Sequence, residues 1–340
     1  MNEVSVQEAS IWCCPGCQGG LDYLDDGLSC QACQRQYTMI DSIPDLRVEL
    51  DCWIDLEDDR RRAREAAQRV QSQGLEATIQ HIFLSSRKMD ERQAQYRTRQ
   101  VMSGVDKCIA QCGDWLKPVV NNQGVLLEIG CGPGQMLAAA AQLGRQVAGV
   151  DVSMEWLVIA RHMIKQYGGE PLLAAGFAEQ LPIRSGVVSS IISLDVLEHV
   201  GDQQQYVKEI SRTLTDAGNF ALSTPNRFSL SPEPHVNVWG VGYLPRKFQA
   251  TYVHLSSGRP YTFTRLLSVW ESRKLFSPER GFDAEIVFPE IPEHEIVNFG
   301  ALKTSLARIY NRLVGNAVVK LLLPFFGAYY RITGRAVQQA

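Results

Sequence analysis

The stretch VLLEIGCGPGQMLAAAAQLG, residues 125–144, decides the fold of this chain. Its apolar start, Val125 to Ile129, reads as a strand. A turn holding Gly130, Gly132 and Gly134 follows and opens an alanine-rich helix. Glycines let a backbone take positive φ and approach a ligand closely, and the start of a helix offers free N–H groups. A strand, a glycine turn and a helix in that order begin a doubly wound α/β sheet. The glycines here sit two apart, and an acid, Glu128, precedes them on the strand end. A carboxylate in that place suits a cationic ligand better than a pyrophosphate.

Further along, a second apolar run, residues 146–150, ends at Asp151, and an acid there can accept both hydroxyls of a ribose. The segment DVSMEWLVIA follows at 151–160, LAAGFAEQLPI at 173–183 and IISLDVLEHV at 191–200. A helix near 203–214 and a strand near 219–224 complete the alternation. The E-x-G-x-G-x-G loop, the acid after the second strand and these later segments, in this order, resemble class I S-adenosylmethionine-dependent methyltransferases. The resemblance implies a Rossmann-like doubly wound α/β sheet with S-adenosyl-L-methionine as cofactor. It implies that Gly130, Cys131, Gly132 and Gly134 cradle the methionine part and that Glu128 attracts its amine. Asp151 would take the ribose, Val152 and Met154 would line the adenine, and the Ala178 amide would meet the ring with Glu179 beside it. Leu194 would border the methionine part. Phe177 stands where the family usually has the Asp that receives the adenine amino group, which leaves that contact open.

Asp195, Glu198 and His199 form a D-x-x-E-H run. It is similar to the E-x-x-E-H run that binds a divalent cation in ubiquinone-type O-methyltransferases, which would make Mg²⁺ a second cofactor. His199 is equally a general base for an acceptor hydroxyl, and the run also reads as a strand end leading into a helix. After residues 223–227, STPNR, comes a stretch rich in aromatics, Pro and Gly, which we read as a substrate cap at about 226–268. His235 and Tyr243 are its candidate acceptor-side residues, with Asp195 and His199 the other catalytic candidates.

Upstream, Cys14-Pro-Gly-Cys17 and Cys30-Gln-Ala-Cys33 form two CxxC knuckles separated by twelve residues. Such a pair presents four thiolates to one tetrahedral ion and leaves no open position, as in structural zinc sites. The residues between read as a hairpin turning at 25–27. The segment resembles a zinc ribbon, similar to those that accompany some tRNA methyltransferases, and its tail YTMIDSIPDL, residues 37–46, departs from theirs at Thr38 and Ser42.

The chain has 340 residues and a net charge of −3, which argues against a surface built throughout for phosphate. Residues 1–10 lack a signal-peptide pattern, and an odd number of cysteines, nine, with five crowded into the first 33 residues, suits a reducing compartment, so the expected location is cytoplasmic. The expected organisation is a zinc ribbon at 1–48, a helical linker at 49–117 with Gly74 between two helices and the second running over about 75–116 with Gly104 and Gly113 as candidate interruptions, a methyltransferase domain at 118–295, and basic amphipathic helices at 296–340. No acidic residue follows Glu295, whereas Lys303, Arg308, Arg312, Lys320, Arg331 and Arg335 do. That pattern fits either peripheral contact with the inner face of a membrane or a helix packed on the domain. The expected activity is methyl transfer to an oxygen of a small or lipid-linked acceptor. The alternatives are a base methyltransferase of rRNA or tRNA that docks through the ribbon, and a non-catalytic cofactor-binding scaffold.

Overall fold

The computed structural model describes residues 11–25, 27–48, 54–296 and 300–337. Residues 1–10, and Asp26 in the expected hairpin turn, lie outside them. The chain divides into two compact units, Met1–Ser193 with Gln204–Phe220, and Leu194–Gln203 with Ala221–Ala340.

The first unit opens with a small antiparallel sheet in the order β1 (Leu21–Leu24), β2 (Gly27–Cys30), β3 (Gln36–Ile40), β4 (Ile43–Pro44). Leu21 faces Cys30 and Leu28 faces Tyr37, and all four are buried, so Cys14 and Cys30 share a small core with a few apolar side chains. Helix α1 (Leu56–Gln73) follows. Asp55 caps it by accepting the N–H groups of Glu57 and Asp58, and Glu57, Asp58 and Asp59 put negative charge on its first turn, where the helix dipole favours it. Asp59, Ala63, Ala66 and Val70 are buried along one face. Gly74, at φ 85°, ends the helix in a backbone conformation that side chains resist.

The expected helix over 75–116 is broken into α2 (Leu75–Ser85), α3 (Glu91–Met102) and α4 (Gly104–Gly113), with a short α5 (Lys117–Val120) after them. The breaks at Gly104 and Gly113 fall at the expected interruptions; the break at 86–90 is an addition, and its physical reason is Asp90. Its side chain accepts the N–H of Gln93 and starts a new helix where a continuous one would have placed it inside.

The central strands are β5 (Val125–Ile129), β6 (Gln146–Asp151), β7 (Leu172–Ala175) and β8 (Val188–Leu194), parallel, in the order β8-β5-β6-β7. Leu127 lies opposite both Ala148 and Ile191. Every residue of β5 is buried, as a parallel strand covered on both faces requires. Helices α6 (Gln135–Gln142), α7 (Met154–Gln166) and α8 (Gln203–Thr213) alternate with these strands. This is the Rossmann-like doubly wound arrangement. The N-terminal sheet extends it: residue 45 bridges in parallel to Ala175, the Leu46 N–H donates to the Ala175 carbonyl at 2.9 Å, and Trp12 bridges to Ile183.

Strand β9 (Leu214–Pro225) passes from the first unit into the second, where the order is β10 (Phe282–Val287), β11 (Tyr329–Ala336), β9. β10 and β11 run antiparallel, with Phe282 opposite Ala336. The unit also holds α9 (Arg246–Ser257), α10 (Val269–Leu275), α11 (Glu293–Ile296), α12 (Ala301–Leu313) and α13 (Ala317–Leu322). The helical reading of 296–340 is corrected at its end, because Tyr329–Ala336 is a strand. Tyr330 and Ile332 alternate inward with no exposed surface, a period of two that a helix cannot bury.

Candidate functional site

In the first unit, β5 delivers Glu128 to the mouth of the glycine turn, where it is 5 % exposed. One carboxylate oxygen, Oε2, is buried without a hydrogen-bond partner. Burial, and after it the charge of Asp151, hold this carboxyl well above its ordinary value. A buried acid in that condition is relieved by an incoming cation. Gly130, Gly132 and Gly134 have φ of 75°, 47° and 79°, the left-handed region that glycine enters without strain. Two of them do different work. A Cβ on Gly134 would lie 2.9 Å from the Cα of Ala160, so this glycine lets turn and helix α7 pack. A Cβ on Gly132 would meet nothing within 4 Å, so this glycine borders open space.

Asp151 closes the same mouth from β6. Its carboxylate accepts the N–H of Gly132 and the N–H of Ser153, each at 2.8 Å, so strand end and turn are locked together. Val152 is half-buried, whereas Met154 is fully buried and packs into the core. Cys131 is buried and its thiol is pushed far up, first by burial, so it is inert. Ala178 and Glu179 lie half-buried in the turn after β7, next to Phe177, which bridges to Gln180. Leu194, the last residue of β8, is half-buried and begins the second unit.

A group of residues that sequence reasoning missed stands behind this mouth. Arg47, Asp45 and Asp59 have side chains with no exposed surface and are joined by ion pairs of 2.6–2.7 Å. Asp59 also accepts the N–H of Met154 at 2.9 Å and the hydroxyl of Ser153 at 3.2 Å, while Arg47 donates to the carbonyl of Val152 at 2.7 Å. Burial works to raise the Asp45 carboxyl, but hydrogen bonds from Arg47 and Arg60 outweigh it and hold the group below the ordinary range. The tail of the N-terminal sheet thus fixes the start of α7 and the segment next to Asp151.

The four knuckle cysteines, Cys14, Cys17, Cys30 and Cys33, converge, with sulfur atoms within 4.8 Å of one another. Cys14 and Cys33 are 3.7 Å apart and Cys17 and Cys30 are 3.4 Å apart. Sulfurs at roughly 2.3 Å from one tetrahedral ion lie about 3.8 Å from each other, so this cage has the size of a zinc site. The Tyr37 hydroxyl rests 2.9 Å from the Cys14 sulfur and supports it from outside.

In the second unit a different cluster forms around residues 195–199. Asp195 sits at φ 57°, a strained value for a non-glycine residue, and accepts from the Ser223 hydroxyl at 3.1 Å. Glu198 is 1 % exposed; one oxygen accepts from Thr224 at 2.9 Å and the other, Oε1, is buried without a partner. Burial, and next the Asp195 charge, raise its carboxyl to about 7. The rings of His199 and His235 meet edge to face with centroids 4.6 Å apart. Nδ1 of His199 lies 3.4 Å from the Phe263 carbonyl. Nδ1 of His235 lies 2.6 Å from Glu233, which is 4 % exposed and also accepts the N–H groups of His235 and Val236. The Glu233 hydrogen bond raises the His235 imidazole. Glu198, His199 and His235 bring their ligand atoms within 4.8 Å. One carboxylate and two imidazoles suit a transition ion better than Mg²⁺, which prefers oxygen donors. Tyr243 does not join this cluster: its hydroxyl donates to the Phe325 carbonyl at 2.6 Å. Glu233 was not singled out in the sequence, although a carboxylate two residues before His235 was in plain view there.

Comparison with known proteins agrees with this geometry over part of the chain. Residues 127–222 match the family model described as methyltransferase domain. A Mycobacterium tuberculosis protein named "Probable S-adenosylmethionine-dependent methyltransferase" is 35% identical over 107 residues, covering 32% of this chain and 38% of that protein. A ubiquinone biosynthesis O-methyltransferase of Idiomarina loihiensis is 28% identical over 173 residues, covering 46% of this chain and 67% of the relative. The chain thus spans 38% of the length of the mycobacterial relative. Among solved structures, an S-adenosylmethionine-dependent methyltransferase from Mesorhizobium loti aligns with a TM-score of 0.47 at 17% identity, covering 67% of this chain and 100% of that one. Glycine turn, paired acids, strand order and family match coincide on one segment, and residues 127–222 form a methyltransferase domain of class I fold.

Proposed function

We propose that the chain is an S-adenosylmethionine-dependent methyltransferase that methylates an oxygen of a small or lipid-linked acceptor. The observation that carries the reading is the unpartnered buried oxygen of the Glu128 carboxylate beside the open face of Gly132. Glu128 would hold the amine, the turn of Gly130, Cys131, Gly132 and Gly134 the methionine chain, and Asp151 the ribose. Val152, Ala178, Glu179 and Leu194 would border the rest. The bound cofactor supplies a methyl group on a sulfonium, already reactive, so the protein mainly has to position it and ready the acceptor.

His235 is the favoured base. Its Nδ1 is held by the buried carboxylate of Glu233, which fixes the tautomer and leaves the other nitrogen to take a proton from an acceptor hydroxyl. Asp195 and His199 would shape the same place, whereas Tyr243 would serve the cap. The name of the Idiomarina relative agrees with oxygen as the accepting atom. The orphaned Glu198 oxygen favours a second reading of the cluster, in which Glu198, His199 and His235 hold a divalent transition ion that lowers the pKa of the acceptor hydroxyl. We assign the four cysteines to a structural zinc ion. The pattern of thiols suits a reducing, cytoplasmic setting. No helix of the described residues is long and apolar enough to cross a membrane.

Transfer of labelled methyl to fractionated lipid, metabolite and RNA pools tests the proposal. Label on a base-labile or ether oxygen of a lipid or metabolite supports it. Label confined to RNA, or cofactor binding with no transfer to any pool, overturns it.

A further inference from the structure

The second unit leaves two helical stripes of large apolar side chains in solvent. On α12, Leu306, Ile309 and Leu313 are 58 %, 51 % and 45 % exposed, while Ala307 and Val314 on another face are buried. On α9, Phe248, Tyr252 and Leu255 are exposed at spacings of four and three, while Gln249 and Val253 are buried. Each helix is therefore packed through one face and carries a second apolar face outward, which a soluble helix has no reason to keep. Leu321 and Phe325 continue the exposed surface after α12. The two regions are joined by contacts: Tyr243, just before α9, donates to the Phe325 carbonyl, and Trp270 packs on the Phe325 ring with centroids 4.9 Å apart.

The charge pattern of these same segments names the partner. The chain holds 37 acidic residues, yet none lies in 234–270 or in 296–340. The first of these segments carries Arg246, Lys247, Arg259 and Arg265, and the second Lys303, Arg308, Arg312, Lys320, Arg331 and Arg335. Lys247, Arg259, Arg312 and Lys320 are exposed, and Arg308, also exposed, pairs with Glu293 at 2.7 Å. Segments that contribute no carboxylate of their own and carry cations among their apolar side chains match an anionic bilayer surface, where side chains bury in the headgroup boundary and cations meet the lipid charge. A protein partner or second copy would account for the apolar stripes but not for the exclusion of every acid from both segments.

We infer that α9, α12 and α13 form an interfacial surface that seats the second unit on an anionic membrane, and that the methyl acceptor is carried by lipid. The part about the acceptor rests on the methyltransferase reading; the surface itself does not.

The test is sedimentation of the full chain with vesicles, either equal parts phosphatidylglycerol and phosphatidylcholine or phosphatidylcholine alone, with the oligomeric state measured by light scattering. Binding is expected to the anionic vesicles, weakened by salt, and by roughly fivefold for each exposed cation removed, such as Lys247→Gln or Arg312→Gln. The triple variant Leu306→Glu, Ile309→Glu, Leu313→Glu alters only exposed positions and is expected to lose vesicle binding by tenfold or more, while its thermal midpoint and cofactor binding stay put. Equal pelleting with both vesicle types, no pelleting, or a dimer that the triple variant dissociates would each overturn the membrane surface. Failure of cofactor binding in the parent chain would instead sink the methyltransferase reading and leave the vesicle result standing.

Discussion

Replacing Asp59 by alanine removes a carboxylate with no exposed surface that accepts hydrogen bonds from Arg47, Met154 and Ser153. Arg47 keeps Asp45 but loses its second partner, and the N–H of Met154 at the start of α7 loses its cap. Breaking a buried ion pair by removing one partner typically costs about 3–5 kcal/mol, mostly from the charge left behind, and a lost helix cap alone is worth about 1 kcal/mol. These overlap, so we take about 3–5 kcal/mol for the whole. In a unit of this size each kcal/mol lowers the midpoint by about 2–4 °C, which places the Asp59→Ala protein roughly 6–20 °C below the parent. Because Val152, Ser153 and Met154 follow Asp151 directly, cofactor affinity should also fall by about tenfold, the worth of one hydrogen bond to a charged group. Thermal unfolding with and without S-adenosylhomocysteine, together with calorimetric titration, reads both effects. A midpoint within about 2 °C of the parent would refute the claim that the N-terminal sheet and the cofactor strands are held together by this network.

The two glycines of the turn should separate under substitution. Gly134→Ala forces a contact with the backbone of Ala160 on top of the strain of its positive φ, and is expected to lose about 2–5 kcal/mol of stability. Gly132→Ala meets open space, so it should lose only the conformational cost of about 1–2 kcal/mol of stability, while cofactor binding weakens by at least tenfold; thermal unfolding and titration calorimetry check this. Glu233→Gln should lower kcat by about 10²-fold with KM little changed, because His235 loses its orienting carboxylate; steady-state rates on an identified acceptor measure it. Native mass spectrometry should find one zinc ion per chain, and its removal by a chelator should free four thiols to a colorimetric reagent and lower the unfolding midpoint.

What could be read from the sequence was local. The glycine turn is legible because three φ values and one strand acid are set within seven residues, and the cysteine cage because the knuckle spacing alone fixes where sulfurs go. The network of Arg47, Asp59 and Ser153 was not legible. Its partners stand about a hundred residues apart in the chain, and each alone is an ordinary surface residue type; only the docking of the N-terminal tail against Ala175 buries them. Asp90 looked like one more polar residue in a charged helix, yet its side chain caps the start of a new one. The last strand hid behind composition. Basic and apolar residues in 296–340 suggested helix throughout, although Tyr330 and Ile332 already carried the alternation of a strand. His235 was identified for its chemistry, but the edge-to-face contact with His199 depends on the cap folding over the 195–199 run, and no spacing rule predicts that.

The central claim is that Glu128 waits as a buried acid, one carboxylate oxygen without a partner, for the cationic end of the cofactor. Its carboxyl is raised above the ordinary 4.5, so in the free protein its favourable contribution is complete below that value and is lost as pH rises through the shifted one. A bound cation reverses the preference and drives the proton off. Calorimetric titration with S-adenosylmethionine in buffers of different ionisation heat should therefore show proton release, with affinity rising with pH until the raised value is passed, and Glu128→Gln should abolish the pH dependence and weaken binding by roughly 10- to 100-fold. Proton-neutral binding that is equally tight in the Glu128→Gln protein would contradict the account.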